Sequence, residues 1–527
     1  MKNVITRFIS TLSAVVMLGG LMSSCSSIKG GAAIPAVSTK TTSENGINIS
    51  EEAELKFYML GNAPRDLELI QEKVNDLAKK DLNCTVKFNY TSWSDTTTKY
   101  SLLLSSGQDI DLLYTADWMY YSQYAKKGAF QPLDEVVPKA APDLWKFIPE
   151  SYWNAVKVEG KIYTIPATWK EYTPGVIVYR EDLRKKYKLP EIKDIVTFET
   201  YLEAIKKNEP TIQPTEELVA DWGIGGPGFT AWLPLFDQTH TSNLGVAYGL
   251  YNDFRNPSRL INYWDSEEFV RDMKTLRRWQ EKGFWSISAL SANISQSDEF
   301  ENGKVACIMT SNPVKYATIL LKVRTVHPDW EVGYLSISEV SGYVEPVHPV
   351  HNGFSVPKSS RKAERAVAFY SRLVLDKTYN YLTQYGIEGT HYKISNEGYY
   401  EMIGDTEANG FPKEAMNGWA WRNPEIQLFD KSFDSVLEMF KKFESTQIVV
   451  GENLLGGFIE DYSAYQAERA ALYQVQNQYL VPLMGGFVED VEEGVRHFRE
   501  KAKSAGLEKI QSEFGKQWQA YCKGIGK

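Results

Sequence analysis

From Glu54 onward the chain alternates strand-like and helix-like patterns. Leu55, Phe57 and Met59 recur at a period of two around Lys56 and Tyr58, the pattern of a strand with one buried face. Gly61-Asn62-Ala63-Pro64 breaks that run, and Pro64 suits the first turn of a helix, where its missing N–H costs nothing. Leu67, Ile70, Val74 and Leu77 then keep helical spacing on one face as far as Lys80. Thr85–Tyr90 predicts a second strand, Tyr100–Ser106 a short helix, Asp109–Thr115 a buried strand and Tyr120–Lys127 another helix. Such alternation predicts an α/β fold. Longer helical stretches follow at Thr197–Asn208, Ser266–Lys282, Lys362–Leu375, Ser432–Phe443, Tyr462–Met484, Glu489–Ala505 and Glu508–Tyr521, with Ala505-Gly506 as a helix stop. No repeat of solenoid length is present.

The amino terminus has a different pattern. Lys2 and Arg7 precede an apolar stretch, Phe8–Met22, which is too short for an ordinary membrane span. Ser23 and Ser24 lead to Cys25, and the whole order resembles a bacterial lipoprotein signal, although Met22 stands where such signals usually carry Leu, Val or Ile. The expectation is cleavage after residue 24 and a lipid, palmitate included, on Cys25, which anchors the protein at the extracellular face of the cell membrane. An ordinary secretory signal is the plainer alternative, and both place the mature protein outside the cytoplasm. Residues 25–53, rich in Ser, Thr, Gly and Ala, predict a flexible tether. Its typical reach is roughly 30 Å.

Removal of residues 1–24 leaves 503 residues, enough for two or three domains, and moves the formal charge from −9 to −11. That acidity argues against nucleic acid as a partner. Of the four cysteines, Cys84 and Cys307 sit in strand-like runs as small hydrophobes, and with Cys522 they suggest no disulfide framework. His348 and His351 lack the companions of a metal site and predict a loop of packed or solvated imidazoles, so neither metal nor cofactor is expected. Gly223–Gly228 formally matches the dinucleotide pattern G-x-G-x-x-G, but Pro227 and Pro234 deny it the strand–turn–helix context and leave a cleft-edge turn as the reading. Asp109 and Asp111 fall two apart on one strand face, a spacing a glycosidase pair could use. No G-x-S-x-G, H-E-x-x-H or P-loop sequence occurs.

Four phrases, taken in order, are similar to the extracellular solute-binding proteins of ABC importers, especially the oligosaccharide and maltose-binding group. They are Gly107–Thr115 with Lys127–Leu133; Val158–Pro166 with Val176–Arg180; Phe300–Met309 with Asn312-Pro313; and Gly353–Ser360. The tail from Gly457 to Trp518, carried by Val475, Gln478-Tyr479, Leu483, Gly485-Gly486, Ala505-Gly506-Leu507, Glu513 and Gln517, resembles the C-terminal domain of a Gram-positive lipoprotein subfamily. The resemblance implies a two-lobed, periplasmic-binding-protein-like fold with a helical C-terminal supplement. Lobe one should hold 54–166 and 353–395, and lobe two 167–352 and 396–527. The implied function is capture of an oligosaccharide or sugar acid between the two lobes for import, with that carbohydrate ligand and the transmembrane permease as partners; the protein is expected to be a monomer and not an enzyme. A surface-anchored polysaccharide-degrading enzyme and a peptide or nucleoside receptor on the same fold are the alternatives.

In such a fold the cleft is lined by loops at the carboxyl ends of strands. That places Asn62, Arg65, Asp117, Trp118, Trp169, Glu171, Tyr172 and Asn312 at the ligand, with Trp419, Trp421 and Arg422 from an aromatic loop and Phe229 and Trp232 beyond the Gly-rich turn. Trp would stack on the apolar face of a pyranose, and Asp, Asn, Glu and Arg would address its hydroxyls. With 14 Trp, 31 Tyr and 23 Phe in the chain, packing between elements competes with each of these assignments.

Overall fold

The computed structural model describes residues 46–92, 96–119, 121–216, 247–253, 256–290, 296–446, 448–449 and 454–527. Cys25, Phe229, Trp232 and Gly223–Gly228 lie outside them. The strands of its two main sheets are β1 (Ala53–Leu60), β2 (Cys84–Thr91), β3 (Leu112–Thr115), β4 (Ile165–Pro166), β5 (Val176–Arg180), β6 (Cys307–Ser311), β7 (Val332–Ser336) and β8 (Gly353–Ser355). The first sheet has the order β2-β1-β3-β8-β4 and the second β6-β5-β7.

β1 and β2 run parallel in register from Ala53–Cys84 to Leu60–Thr91, which requires a crossover, supplied by helix α1 (Leu67–Leu82). Ile70 and Val74 of α1 are buried as their spacing predicts, and Asn83, in the left-handed region at φ 45°, ends the helix. Leu55, Phe57 and Met59 are buried together on the first sheet, in a core shared with Phe354, Phe369 and Tyr370. This core begins before Glu54. Ile47 and Ile49 are buried in it, and Arg365 donates to the Asn48 and Glu51 carbonyls. The expected tether is therefore too long at its carboxyl end, because two isolated isoleucines in a polar stretch show no period.

β5 forms the axis of the second sheet and buries both faces. Ile177 and Tyr179 join one core, and Val176 and Val178 join another that includes helices α2 (Pro313–Val326) and α3 (Asp434–Thr446). The core on the Ile177 side extends into the C-terminal helices α4 (Val491–Ser504) and α5 (Leu507–Gly524), through Phe498, Ile510, Phe514 and Trp518. The indole of Trp285 donates to the Gly485 carbonyl at 2.9 Å and that of Trp518 to the Pro257 carbonyl at 2.8 Å, so the C-terminal segment is fused to the second lobe. The single helix expected over Tyr462–Met484 is interrupted: Gln476–Leu480 forms a π turn, followed by Pro482, which has no N–H to continue the ladder.

Three segments cross between the two sheets side by side. Residues 167–172 lead out of β4, 346–352 lead back to β8, and 422–429 cross later. Ala167 N–H reaches the Asn352 carbonyl at 3.0 Å, Val347 N–H reaches Glu171 at 2.8 Å, and the Thr168 hydroxyl donates to the Arg422 carbonyl. This is a two-lobed α/β fold with a hinge of three segments. The expected lobe boundary at residue 395 is displaced. Phe411, Met416, Ala420 and Trp421 all belong to the first core, and the crossing comes after Trp421. Their irregular spacing gives no local sign of which sheet they cover. Among the described residues no helix is long and apolar enough to cross a membrane.

Candidate functional site

The three crossings enclose a narrow crevice lined by Tyr152, Trp169, Glu171, His348, His351, Asn352, Trp419 and Arg422. Its volume is about 10 Å³, room for about one water. Trp118 stands beside it, 43% exposed, with its indole N–H on the His351 carbonyl at 2.9 Å. Trp118 is presented by the turn Asp117–Met119 immediately after β3, and His351 by the turn Pro349–His351 immediately before β8; β3 and β8 are neighbours in the sheet, which brings the two turns together.

Charge in the crevice is paired. Arg422 is buried and grips Glu414 with two bonds, Nε to Oε1 at 2.6 Å and Nη2 to Oε2 at 2.8 Å. Burial opposes the charge on Glu414, but Arg422 outweighs it and holds the carboxyl below its ordinary range. Arg422 also meets Glu171 at a longer 3.4 Å, which leaves Glu171 acceptor capacity toward the crevice. Asp117 accepts from Trp118 N–H at 2.7 Å and lies 3.1 Å from His351 Nδ1. Desolvation opposes protonation of His351; the bond to Asp117 and its charge overcome this and raise the imidazole above its usual value. His348 behaves oppositely: burial pushes it down to about 4, and its Nδ1 accepts from Val350 N–H.

Trp169 supplies a further feature. Its ring packs on Phe429 at 5.3 Å, while its buried Nε1 has no hydrogen-bond partner among the described residues. A buried donor of this kind costs free energy unless something pairs with it. A stacking face, an open N–H, a half-used carboxylate and an arginine are together suited to a polyhydroxylated ligand.

Of the residues expected at the ligand, Asp117, Trp118, Trp169, Glu171, Trp419 and Arg422 converge here. Others do not. Tyr172 is 1% exposed, packed against Phe440 and Phe443, with its hydroxyl on Glu444. Trp421 is fully buried against Phe57 and Phe354, with its indole on the Thr383 hydroxyl. Asn312 is the N-cap of α2, its side chain accepting from Lys315 N–H. Arg65 is bound to Asp66 and the Ala408 carbonyl, and Asn62 is exposed; neither lines the crevice. Asp111 is fully buried and bound by Ser360 and Lys362, and Asp109 is paired with Lys362, so these carboxylates hold the start of β3. Tyr152, His348, His351 and Asn352 were not expected at the site; a His-rich return crossing next to a Trp-rich loop is the signal that points to them. Among the described residues no group of His, Cys, Asp or Glu could hold a metal ion.

A two-lobed α/β fold with a polar, aromatic crevice at its hinge defines a solute receptor. A family model described as bacterial extracellular solute-binding protein matches residues 73–412, and the chain belongs to that family. Residues 454–523 match a domain of unknown function, DUF3502. The chain is 23% identical, over 99% of both sequences, to a carbohydrate ABC transporter substrate-binding protein of Streptococcus pneumoniae serotype 4. Its fold is similar to that of the N-glycan transport solute binding protein NgtS of S. pneumoniae, with a TM-score of 0.68 at 18% identity over 90% of this chain and 99% of that one. It is also similar to an extracellular solute-binding protein of Bifidobacterium longum subsp. infantis, with a TM-score of 0.64 at 14% identity over 91% and 100%.

Proposed function

We propose that the protein is the substrate-binding lipoprotein of an ABC importer, which captures an oligosaccharide outside the cell and passes it, unaltered, to a membrane permease. The observation that carries the reading is the juxtaposition of the exposed Trp118 face with the unpartnered Trp169 N–H and the Glu171–Arg422 pair. Stacking surface and hydroxyl-directed polar groups are the two requirements of a sugar site. The carbohydrate transporter relative supports it, and so does NgtS, which has been crystallised with Man1GlcNAc and with Man5GlcNAc. Anchoring through Cys25 rests on the order of the amino-terminal residues.

A thermal-shift screen of neutral and acidic oligosaccharides, mannose–N-acetylglucosamine glycans among them, followed by calorimetry, tests the reading. A ligand at a hundred times its Kd should stabilise by about 2.7 kcal/mol. Trp118→Ala should then bind roughly ten- to a hundredfold more weakly, a larger loss than the one it causes in folding stability. A panel with no shift, or release of shortened products, would reject capture of an intact oligosaccharide. Partition of wild type into detergent, lost in Cys25→Ala, tests the anchor.

A further inference from the structure

The C-terminal segment touches both lobes at one place. Its helices are fused to the second lobe through Trp285, Trp518 and Arg499, which donates to the Trp264 and Ser266 carbonyls. Its first turn, Leu454–Gly457, lies against Asp117–Met119 and Pro349–His351, the two turns that rim the crevice on the first sheet. Leu454 is buried in the second-lobe core, and Leu455 and Phe458 pack on it, whereas Ile459 packs on the first-lobe core. Six residues thus bridge the two cores.

The approach of this turn is close enough to need glycine. A Cβ at Gly456 would overlap His348 Cβ and come to 3.1 Å from Asp117 Oδ2. One at Gly457 would lie 2.5 Å from the Tyr521 hydroxyl and 3.5 Å from His348 Nε2. The glycine pair is therefore wedged between the Asp117/His348 rim on one side and α5 on the other. Separating the lobes about the three crossings must pull the rim off this turn.

We propose that the C-terminal domain is a closure latch: its Gly456-Gly457 turn seats on the Asp117–His351 rim and sets the balance between open and closed lobes, and with it the affinity for ligand. A contact made in only one of two conformers biases their populations by its own free energy, wherever the ligand binds. Its link to ligand affinity rests on the solute-capture reading above, but the latch itself can be measured without ligand.

The test is hydrogen exchange and small-angle scattering on the full chain without ligand, for wild type, Gly456→Ala, Ile459→Ala and Gly515→Ala. Gly515 is the control within α5, where a Cβ would meet nothing closer than Leu260 at 3.6 Å. Gly456→Ala and Ile459→Ala should speed exchange at 116–119 and 348–352 by tenfold or more and enlarge the radius of gyration. Exchange at 491–524 should stay at the wild-type rate, and Gly515→Ala should match wild type throughout. If Gly456→Ala also loosens 491–524, Ile459→Ala decides, since its side chain faces the first core. Wild-type exchange at the rim in the deciding variant overturns the latch. Where a ligand is in hand, the same variants should shift its Kd by a similar factor. A failed ligand screen would count against the capture reading and leave the exchange result standing.

Discussion

Trp169 carries an indole N–H that the fold buries without a partner among the described residues. Trp169→Phe keeps the ring on Phe429 and removes only the donor. Stability should stay within about 0.5 kcal/mol of wild type, because no protein bond is lost, while affinity falls about tenfold through the missing bond to a ligand hydroxyl. Calorimetry beside a urea melt separates the two; an unchanged Kd would mean that the donor does not face ligand. His348 sets a pH dependence. Its pKa is pushed down to about 4 against an ordinary 6.5, so on acidification the unfolded chain takes up the proton first. Its contribution is complete above pH 6.5 and declines as the pH falls toward 4, by up to about 3 kcal/mol. His351 has the opposite sign: its stabilisation is present below pH 6.5 and fades as the pH rises through its raised value. His348→Asn keeps an acceptor for Val350 N–H and cannot titrate, so its stability should fall less than wild type between pH 6.5 and 4.5. Parallel pH profiles of the two proteins would contradict this assignment.

At the scale of elements, the third crossing is secured by one side chain. Arg422 begins that crossing, donates twice to the half-buried Glu414 and once to Glu171 of the first crossing, and is itself buried with Glu171. Arg422→Met leaves two carboxylates facing each other in a low-dielectric wall, and should cost about 3–5 kcal/mol. Adding Glu414→Gln should return part of that loss, because Glu171 is then the one carboxylate left without its arginine. Denaturant titrations of the single and double variants check this, and equal losses in both would show that the pair is not coupled. The aromatic loop that precedes the crossing divides its tryptophans by direction: Trp419 lines the crevice, and Trp421 fills the first core.

For the whole molecule, two lobes connected by three crossings, with one C-terminal turn touching both, suit a movement of bodies about the hinge. On the capture reading proposed above, a crevice with room for about one water has to widen to admit a pyranose. Scattering at saturating oligosaccharide should give a smaller radius of gyration than the state through which ligand enters, and a narrower distribution of interlobe distances by spectroscopic labels. Identical distributions with and without ligand would place binding in a rigid pocket.

The periodic positions of the amino-acid sequence determined the elements: Leu55, Phe57 and Met59 make a strand and Ile70 and Val74 a helix face, because burial of one side is a local, repeating demand. The phrases around Gly107, Lys161, Gly303 and Gly353 carried the two-lobed fold for the same reason: they join strand ends to turns over a few residues. Tertiary structure alone decided which polar and aromatic groups meet. Asp117 and His351 lie 234 residues apart and Glu171 and Arg422 251 apart, and each pair forms because sheet order and the crossings bring their turns together. Neither Tyr172 nor Trp421 has a pattern that separates core from cleft; Phe440 and Phe443 claim the first, and Phe57 and Phe354 the second. Burial of an aromatic ring depends on which surface reaches it, and that surface is contributed by chain far away in sequence.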